Sequence, residues 1–333
     1  MSDPYLAIDA PGIRSLCWAG DVLIDWVGGG KTLHLDGMTK GACVIYSYRF
    51  DAAVASPCGD YVVIYEKLGT KGLVLFRGKV LREINRSFYP AHVYEYPVAI
   101  IQTRAGRILL AHCPEDYCRL DLEDIETGQR LTNSEERAPS DYFHSRLRAS
   151  PDGKWLISAG WFWHPWESLH LFNLEAALKD PSLLDHSAPL PDIDGELAAA
   201  EFLPNNHIVV ATSDDTMNDD ETKATSIEPN SIAVFNPISC EIVSCVTASE
   251  PVGSLMPIDM DIAIGFYGHP KLYSLKTGEV LKRWDNIHSG NQMGSIIGKN
   301  AAVPSIACDA ENRRFAIASI TSIEVVTLNS DLY

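Results

Sequence analysis

The feature of this sequence that most restricts its fold is a glycine turn that recurs between short hydrophobic stretches. Gly59, Gly106 and Gly153 each lie in such a turn, and they are spaced 47 residues apart. A unit of this length, with alternating apolar stretches and turns, is typical of one four-stranded blade of a β-propeller. One blade cannot bury both of its faces alone, so it must stack on neighbours. The repeat therefore predicts an all-β propeller.

Four-strand units can be aligned along the whole chain, which predicts one domain of seven blades over residues 1–333. The last unit is one strand short, whereas segment 4–9 precedes the first unit and has no place in it. We therefore expect the N-terminal strand to complete the seventh blade, because closure removes exposed sheet edges. The expected blade boundaries are approximately 11–49, 50–86, 97–133, 143–190, 196–248, 252–286, and 302–329 plus 4–9.

The outer strands are the least regular part of this alignment. We predict them at 42–48 in the first unit and at 129–131 in the third. In the fourth unit Pro181, Pro189 and Pro191 obscure the outer strand, since proline has no N–H to donate to a sheet. Segment 213–230 is acidic and poor in apolar residues, and it is predicted to be a solvated insertion without the spacing of a calcium loop.

The composition excludes several classes of protein. The chain is 46% hydrophobic and 21% charged, which is ordinary for a globular protein. It has no apolar run long enough for a membrane helix and no signal-like start, so we expect a cytoplasmic protein. Its 27 basic and 44 acidic residues give a net charge of −17, which opposes nucleic acids and anionic membranes. A protein partner with a basic surface is easier to accommodate.

One stretch resembles a known family. Residues 150–156, Ser-Pro-Asp-Gly-Lys-Trp-Leu, followed by Leu-His-Leu-Phe-Asn-Leu at 169–174, are similar to the WD40-like repeats of bacterial propellers. The chain lacks the paired Gly-His and Trp-Asp signatures of true WD repeats, and its single Trp-Asp pair, Trp284-Asp285, ends a predicted fourth strand. The resemblance implies the fold and a habit of binding proteins, but no catalytic residue.

In propellers of this kind, the loops between second and third strands share one face with the loops between blades. We call it the top face. Aromatic residues, histidines and an arginine concentrate on the loops assigned to it, and such residues dominate binding hot spots. The alternative is that these rings fill the channel and pack between blades. The candidate binding residues are Tyr89, His92, Tyr94, His112, Tyr117, Tyr142, His144, Arg146, Trp161, Trp163, His164, Trp166 and His269.

Motifs for catalysis or metal binding are weak. No His-x-His or His-x-x-x-His pair supports a metal site, and His112 with Cys113 and Cys118 lacks the ligand spacing of structural zinc. The Gly-Gly-Gly-Lys-Thr run at 28–32 fails as a phosphate loop, because Asp25 stands where its first glycine belongs. We predict no catalytic residue, metal or cofactor.

Two hypotheses of function follow. The first is a non-enzymatic scaffold whose aromatic and acidic top face binds a basic protein, with an immunity-type protein that neutralises a toxin as one version. The alternative is an enzyme, or a propeller that binds a metal or small molecule, with His112, His164 and His269 near the central axis.

Overall fold

The computed structural model describes residues 3–41, 44–216, 227–298 and 303–329, and it contains seven antiparallel sheets arranged as a β-propeller. The first strand of each sheet lines a central channel. In four blades the strands follow one another outward in chain order. These strands are β2 Cys17–Ala19, β3 Val22–Asp25, β4 Lys31–His34 and β5 Thr39–Lys40 in blade 1; β6 Ala52–Ala55, β7 Tyr61–Tyr65, β8 Lys71–Phe76 and β9 Lys79–Asn85 in blade 2; β16 Gly195–Phe202, β17 Ile208–Thr216, β18 Ser231–Phe235 and β19 Ile242–Thr247 in blade 5; and β20 Leu255–Pro257, β21 Ile262–Gly265, β22 Lys271–Ser274 and β23 Val280–Arg283 in blade 6.

The other three blades depart from this plan. Blades 3 and 4 have three assigned strands each, and blade 7 takes its outermost strand from the N-terminus. Their strands are β10 Val98–Gln102, β11 Ile108–His112 and β12 Asp121–Asp124 in blade 3; β13 Leu147–Ala149, β14 Trp155–Phe162 and β15 Trp166–Asn173 in blade 4; and β24 Ile306–Asp309, β25 Arg314–Ala318, β26 Ser322–Thr327 and β1 Tyr5–Asp9 in blade 7.

The ring closes as the sequence predicts. Strand β1 pairs antiparallel with β26, with Tyr5 opposite Val326 and Asp9 opposite Ser322. The Ala10 N–H extends this ladder by donating to the Thr321 carbonyl at 3.0 Å. The seven-bladed propeller, with its last blade completed by the N-terminal strand, is confirmed.

The hydrophobic core lies between the blades. Seven apolar clusters each join two neighbouring blades, including the pair of blades 7 and 1 at the closure. Both faces of a middle strand are therefore covered, and all five residues of β7 are buried. The outer strand β19 instead alternates half-buried and exposed positions, because one side meets solvent. This arrangement fixes the loops rigidly at both ends of the ring.

Two predicted outer strands were wrong in position or extent. In blade 1 the outer strand is β5 at Thr39–Lys40, not 42–48, of which residues 42 and 43 lie outside the described residues. In blade 3 the predicted strand at 129–131 forms a single bridge between Glu123 and Arg130. Hydrogen bonds continue around that bridge, since the Leu131 N–H donates to the Leu122 carbonyl at 2.8 Å.

Blade 4 has helical turns where an outer strand would stand. A short helix, α1 Leu174–Ala177, begins at Asn173, whose side chain accepts from the Ala176 N–H. A 3₁₀ helix at Pro181–Leu184 follows, with Asp180 as its N-cap. Proline at the start of a helix loses no hydrogen bond, which explains why the proline-rich segment folds this way. In the part of the chain described here, no helix is long and apolar enough to cross a membrane.

Candidate functional site

The strand order places the predicted candidate residues at one end of the ring. Connections from second to third strands and from blade to blade emerge at the top face, whereas the turns with Gly59, Gly106 and Gly153 emerge at the opposite, bottom face. Three candidates lie in strands rather than loops, which corrects the sequence reading. His112 ends β11, Trp161 lies in β14 and Trp166 begins β15. Blade 4 thus extends its central hairpin to a turn at 163–165.

The centre of the site is an ordered stack of rings. Phe143 lies between Trp161 and Tyr117, with ring centroids 3.9 Å and 4.0 Å away and nearly parallel planes. Tyr94 meets both Phe143 and Trp161 edge-on, at 5.6 Å and 6.0 Å. We call Tyr94, Tyr117, Phe143 and Trp161 the aromatic stack. Three of its members are fully buried, so these rings mainly contribute packing energy.

An exposed rim of large apolar residues borders this stack. Phe88, Tyr89 and Trp163 are 82%, 47% and 46% exposed. Tyr89 and Trp163 lie 6.5 Å apart between centroids, and each contacts Phe143. We call these three residues the aromatic ridge. Rings in such close contact leave no room for a cation between them, so the ridge is a surface for apolar contact and not an empty cage.

Several predicted residues are buried and already bonded. The Arg146 guanidinium donates to the Ala198 carbonyl at 2.8 Å and to Ser254 Oγ at 3.3 Å, which ties blade 4 to blades 5 and 6. The Tyr142 hydroxyl lies within hydrogen-bond distance of the backbone carbonyls at 158 and 168, at 2.8 Å and 2.9 Å, and its ring stacks on His170. His112 lies 3.0 Å from Glu123. These side chains support the site from within.

The remaining predicted residues lie apart from one another. His92 and His164 are exposed, Trp166 is half-buried, and His269 is half-buried with Nδ1 bonded to the Ile287 carbonyl at 2.9 Å. Among the described residues, no three His, Cys, Asp or Glu side chains come close enough to hold a metal ion. His112, His164 and His269 are not brought together. The acidic residues of segment 217–226 lie outside the described residues.

Sequence reasoning missed the segment that covers the centre of the top face. Residues 290–298, which we call the strap, leave blade 6 at a bridge between Gly290 and Gly268. They reach blade 5, where the Gly294 N–H donates to the Ala198 carbonyl at 2.9 Å, and then blade 3, where Ile296 bridges Tyr94. Blades 6 and 3 are on opposite sides of a seven-bladed ring. The strap therefore spans blades 6, 5, 4 and 3 on the top face, a course that no local pattern indicates.

Beneath the strap, the central channel forms a cavity of about 990 Å³. Gln292 of the strap lines it with Glu95 and Arg146, while Arg104 and Asp152 line it beside the bottom-face turns. In between, Arg148 pairs with Glu201 at 2.6 Å. Burial raises the pKa of Glu95, but the charges of Lys67, Arg146 and Arg148 outweigh it and lower that pKa overall. The channel thus contains charges that are paired with one another, and Gln292 of the strap contributes to its lining.

His144 predicts a measurable pH dependence. Its Nε2 lies 3.2 Å from the Cys118 carbonyl and its Nδ1 lies 3.1 Å from Ser158 Oγ, and burial lowers its pKa to about 3. Between the unfolded value near 6.5 and this folded value, only the unfolded chain binds the proton. Stability is therefore present above pH 6.5 and is lost as pH falls, by about 1.4 kcal/mol per pH unit. In urea titrations at pH 4 to 7 we expect His144→Gln to remove its own share of the slope, while His170, whose pKa burial lowers to about 4, keeps a slope of the same sign.

The matched control for this titration is His92→Gln, because His92 is exposed on the same face. Glu167 works in the opposite direction, since burial raises its pKa to about 7 and its contribution falls as pH rises from about 4.5 to 7. The quantity to compare is consequently the difference in slope between each variant and the unmodified protein. Equal slopes for His144→Gln and the unmodified protein would contradict the prediction.

Comparison with known proteins supports the fold, but it assigns no family and no function. No protein-family model matches the sequence, and no curated protein matches it. A chain in the crystal structure of a mitotic checkpoint complex superposes with a TM-score of 0.60 at 12% identity, covering 97% of this chain and 95% of that one. A computationally designed protein, Ika8, superposes with a TM-score of 0.54 at 12% identity, covering 98% and 100%. These likenesses show the fold of the chain, a β-propeller, and agree with its seven sheets.

Proposed function

We propose that this protein is a protein-binding scaffold that engages its partner through the aromatic ridge. The observation that carries the proposal is the exposure of Phe88, Tyr89 and Trp163, with the Tyr89 and Trp163 rings 6.5 Å apart. Large aromatic side chains supply much contact area at little cost in conformational entropy, which is why they dominate binding hot spots. Propellers commonly act as interaction scaffolds, and the ridge is the part of this chain suited to that role.

The surroundings of the ridge favour a partner with a basic surface. Asp116 and Asp141 are exposed next to the aromatic stack, and Asp141 accepts a 2.8 Å hydrogen bond from the Tyr117 hydroxyl. The net charge of −17 adds a long-range attraction for cations. Opposite charges chiefly raise the rate of association and its salt dependence. An immunity-type protein that neutralises a basic toxin is the narrower form of this proposal, and it rests on that charge.

The test compares two variants in affinity purification with quantitative mass spectrometry. The double variant Tyr89→Ala, Trp163→Ala should lower recovery of a specific partner by roughly 30-fold, the effect of removing a hot spot of about 2 kcal/mol. Ile320→Ala is the control, because Ile320 is 89% exposed in a top-face turn of blade 7, away from the ridge. Raising the ionic strength should also reduce recovery.

Three results would count against the proposal. Equal recovery with the ridge variant and with Ile320→Ala would remove the ridge from recognition. A partner whose recovery is unchanged at high salt would argue against a basic surface and so against the immunity-type version. Absence of any specific partner under conditions where the protein is folded would remove the scaffold role.

A further inference from the structure

The strap is part of an unusually long connection between blades 6 and 7. The connection runs from the end of β23 at Arg283 to the start of β24 at Ile306. Connecting loops longer than roughly 12–15 residues are uncommon in compact domains and are usually functional. Gly290, Gly294 and Gly298 divide the strap into short pieces, and the first two have positive φ values of 78° and 69°. Such glycines allow a segment to change its path at little steric cost.

The strap is bound as an added strand. The Glu95 N–H donates to the Ser295 carbonyl at 3.0 Å, and the Ile297 N–H donates to the Val93 carbonyl at 2.9 Å. These two bonds flank the antiparallel bridge between Tyr94 and Ile296. Main-chain pairing of this kind is how many proteins capture an extended peptide, because it reads the backbone whatever the side chains are.

Glu167 holds the other side of the strap. One carboxylate oxygen, Oε1, accepts from the Ser295 N–H at 2.6 Å, the Ser295 hydroxyl at 2.9 Å and the Ile296 N–H at 2.8 Å. The second oxygen, Oε2, is buried without a hydrogen-bond partner among the described residues. A buried carboxylate with one unpartnered oxygen is costly, and opening the strap would expose that oxygen to water.

One strap side chain reaches the aromatic stack. Ile296 packs against Tyr94, Phe143 and Trp161 and is itself only half-buried. The strap thus makes three kinds of contact with the top face. Its backbone pairs with residues 93–95, its Gly294-Ser295 pair lies against Glu167, and its Ile296 side chain packs on the aromatic stack. Those are the elements by which a peptide would be recognised.

We propose that the strap is a tethered internal ligand, and that the site beneath it binds an extended peptide segment of a partner with a small residue, a serine and an aliphatic residue in succession. This proposal deepens the proposed function, because the site adjoins the aromatic ridge. The partner displaces the strap and pairs with residues 93–95 in its place. A tethered segment competes at an effective concentration in the millimolar range, so the intact protein binds such a peptide weakly.

The structure provides a variant that is expected to open the strap without replacing any residue beneath it. A Cβ on Gly294 would lie 2.6 Å from Glu167 Cδ and 2.7 Å from Oε1, and the positive φ adds strain. Gly294→Ala must therefore displace either the Glu167 carboxylate or the strap, and we expect this to weaken the bonds between them. Gly298→Ala is the matched control within the strap, because its Cβ would meet nothing within 4 Å. Both substitutions leave the identity of every residue beneath the strap unchanged.

The probe is a fluorescein-labelled synthetic peptide with the strap sequence, Gly-Asn-Gln-Met-Gly-Ser-Ile-Ile-Gly, titrated in fluorescence anisotropy. We expect Gly294→Ala to bind it at least tenfold more tightly than the unmodified protein or Gly298→Ala. The same peptide with aspartate in place of the residue equivalent to Ile296 should lose that binding. Equal affinity of all three proteins for the peptide, or equal affinity of the two peptides for Gly294→Ala, would overturn the proposal.

Hydrogen exchange of the intact protein provides a second test of whether the strap opens. The amides of Ser295 and Ile296 should exchange at least tenfold faster than those of β14 and β16, and Gly294→Ala should speed them further. A strap that exchanges only with global unfolding, or that stays fully protected in Gly294→Ala, would be a fixed part of the fold and would also overturn the proposal. These experiments use purified components, so their failure is separate from failure of the ridge variants to lose a cellular partner.

Discussion

Asp185→Ala should lower the free energy of unfolding by about 3–5 kcal/mol, because it leaves a buried guanidinium without its main counter-charge. The Arg137 side chain is completely buried, and its Nε donates to Asp185 Oδ1. Its other contacts are weaker, with Asp121 Oδ1 at 3.4 Å and the Leu120 carbonyl at 3.1 Å. Asp185 also accepts from the Ala138 N–H at 2.7 Å, and that donor would lose its partner too.

The Arg137–Asp185 pair joins the two blades that lack a regular outer strand. Arg137 follows β12 of blade 3, whereas Asp185 caps the 3₁₀ helix of blade 4. The pair therefore substitutes for part of the missing strand pairing. Removal should affect the ring as a whole, since each blade is held by its neighbours. Urea denaturation monitored by tryptophan fluorescence measures the change.

A surface pair serves as the control for this variant. Asp21 is 91% exposed and lies 3.0 Å from Arg314, which keeps a second partner in Asp309 at 2.8 Å. Asp21→Ala should cost at most about 1 kcal/mol, because exposed ion pairs contribute little. If the two variants were equally stable, the buried pair would not hold blades 3 and 4 together.

The propeller was predictable from the sequence because its information is local and repeated. Each inner hairpin combines an apolar stretch, a glycine turn and a second apolar stretch, and β6–β7, β10–β11 and β13–β14 all obey this pattern. Closure by the N-terminal strand followed from counting strands. Outer strands were harder, since they have one solvent face and a weaker apolar signal, as the two-residue β5 illustrates.

The candidate site was only partly predictable. Aromatic residues on loops indicated the region, but not which rings would be buried, because Trp161 lies in β14 and is buried, whereas Trp163, two residues later, lies in the turn and is exposed. The strap depends on contacts between Ser295 and residues more than a hundred positions earlier, such as Glu167. No pattern in one sequence encodes a contact of that separation. Glu167 had no motif around it, and only its position under the strap identifies it.

The repeated glycines illustrate a property that the local sequence does not predict, namely which turn contacts the neighbouring blade. Gly106 and Gly153 have the same place in their hairpins and similar φ values of 78° and 66°. A Cβ on Gly106 would meet nothing within 4 Å. A Cβ on Gly153 would lie 2.0 Å from the Gln102 carbonyl oxygen and 3.0 Å from Thr103 Cα, both in the backbone of the neighbouring blade. The sequence predicts the same turn twice, whereas the structure makes only one of them an inter-blade contact.

Gly153→Ala should therefore destabilise the protein by about 3 kcal/mol and Gly106→Ala by about 1 kcal/mol. Both substitutions place an alanine at positive φ, which costs roughly 1–2 kcal/mol. Only Gly153→Ala must also push apart two backbones, and overpacking typically adds about 1–3 kcal/mol. Urea midpoints of the two variants measured side by side give the difference directly. Equal losses would mean that blades 3 and 4 separate freely at the bottom face, and the backbone contact at Gln102 would then contribute nothing to stability.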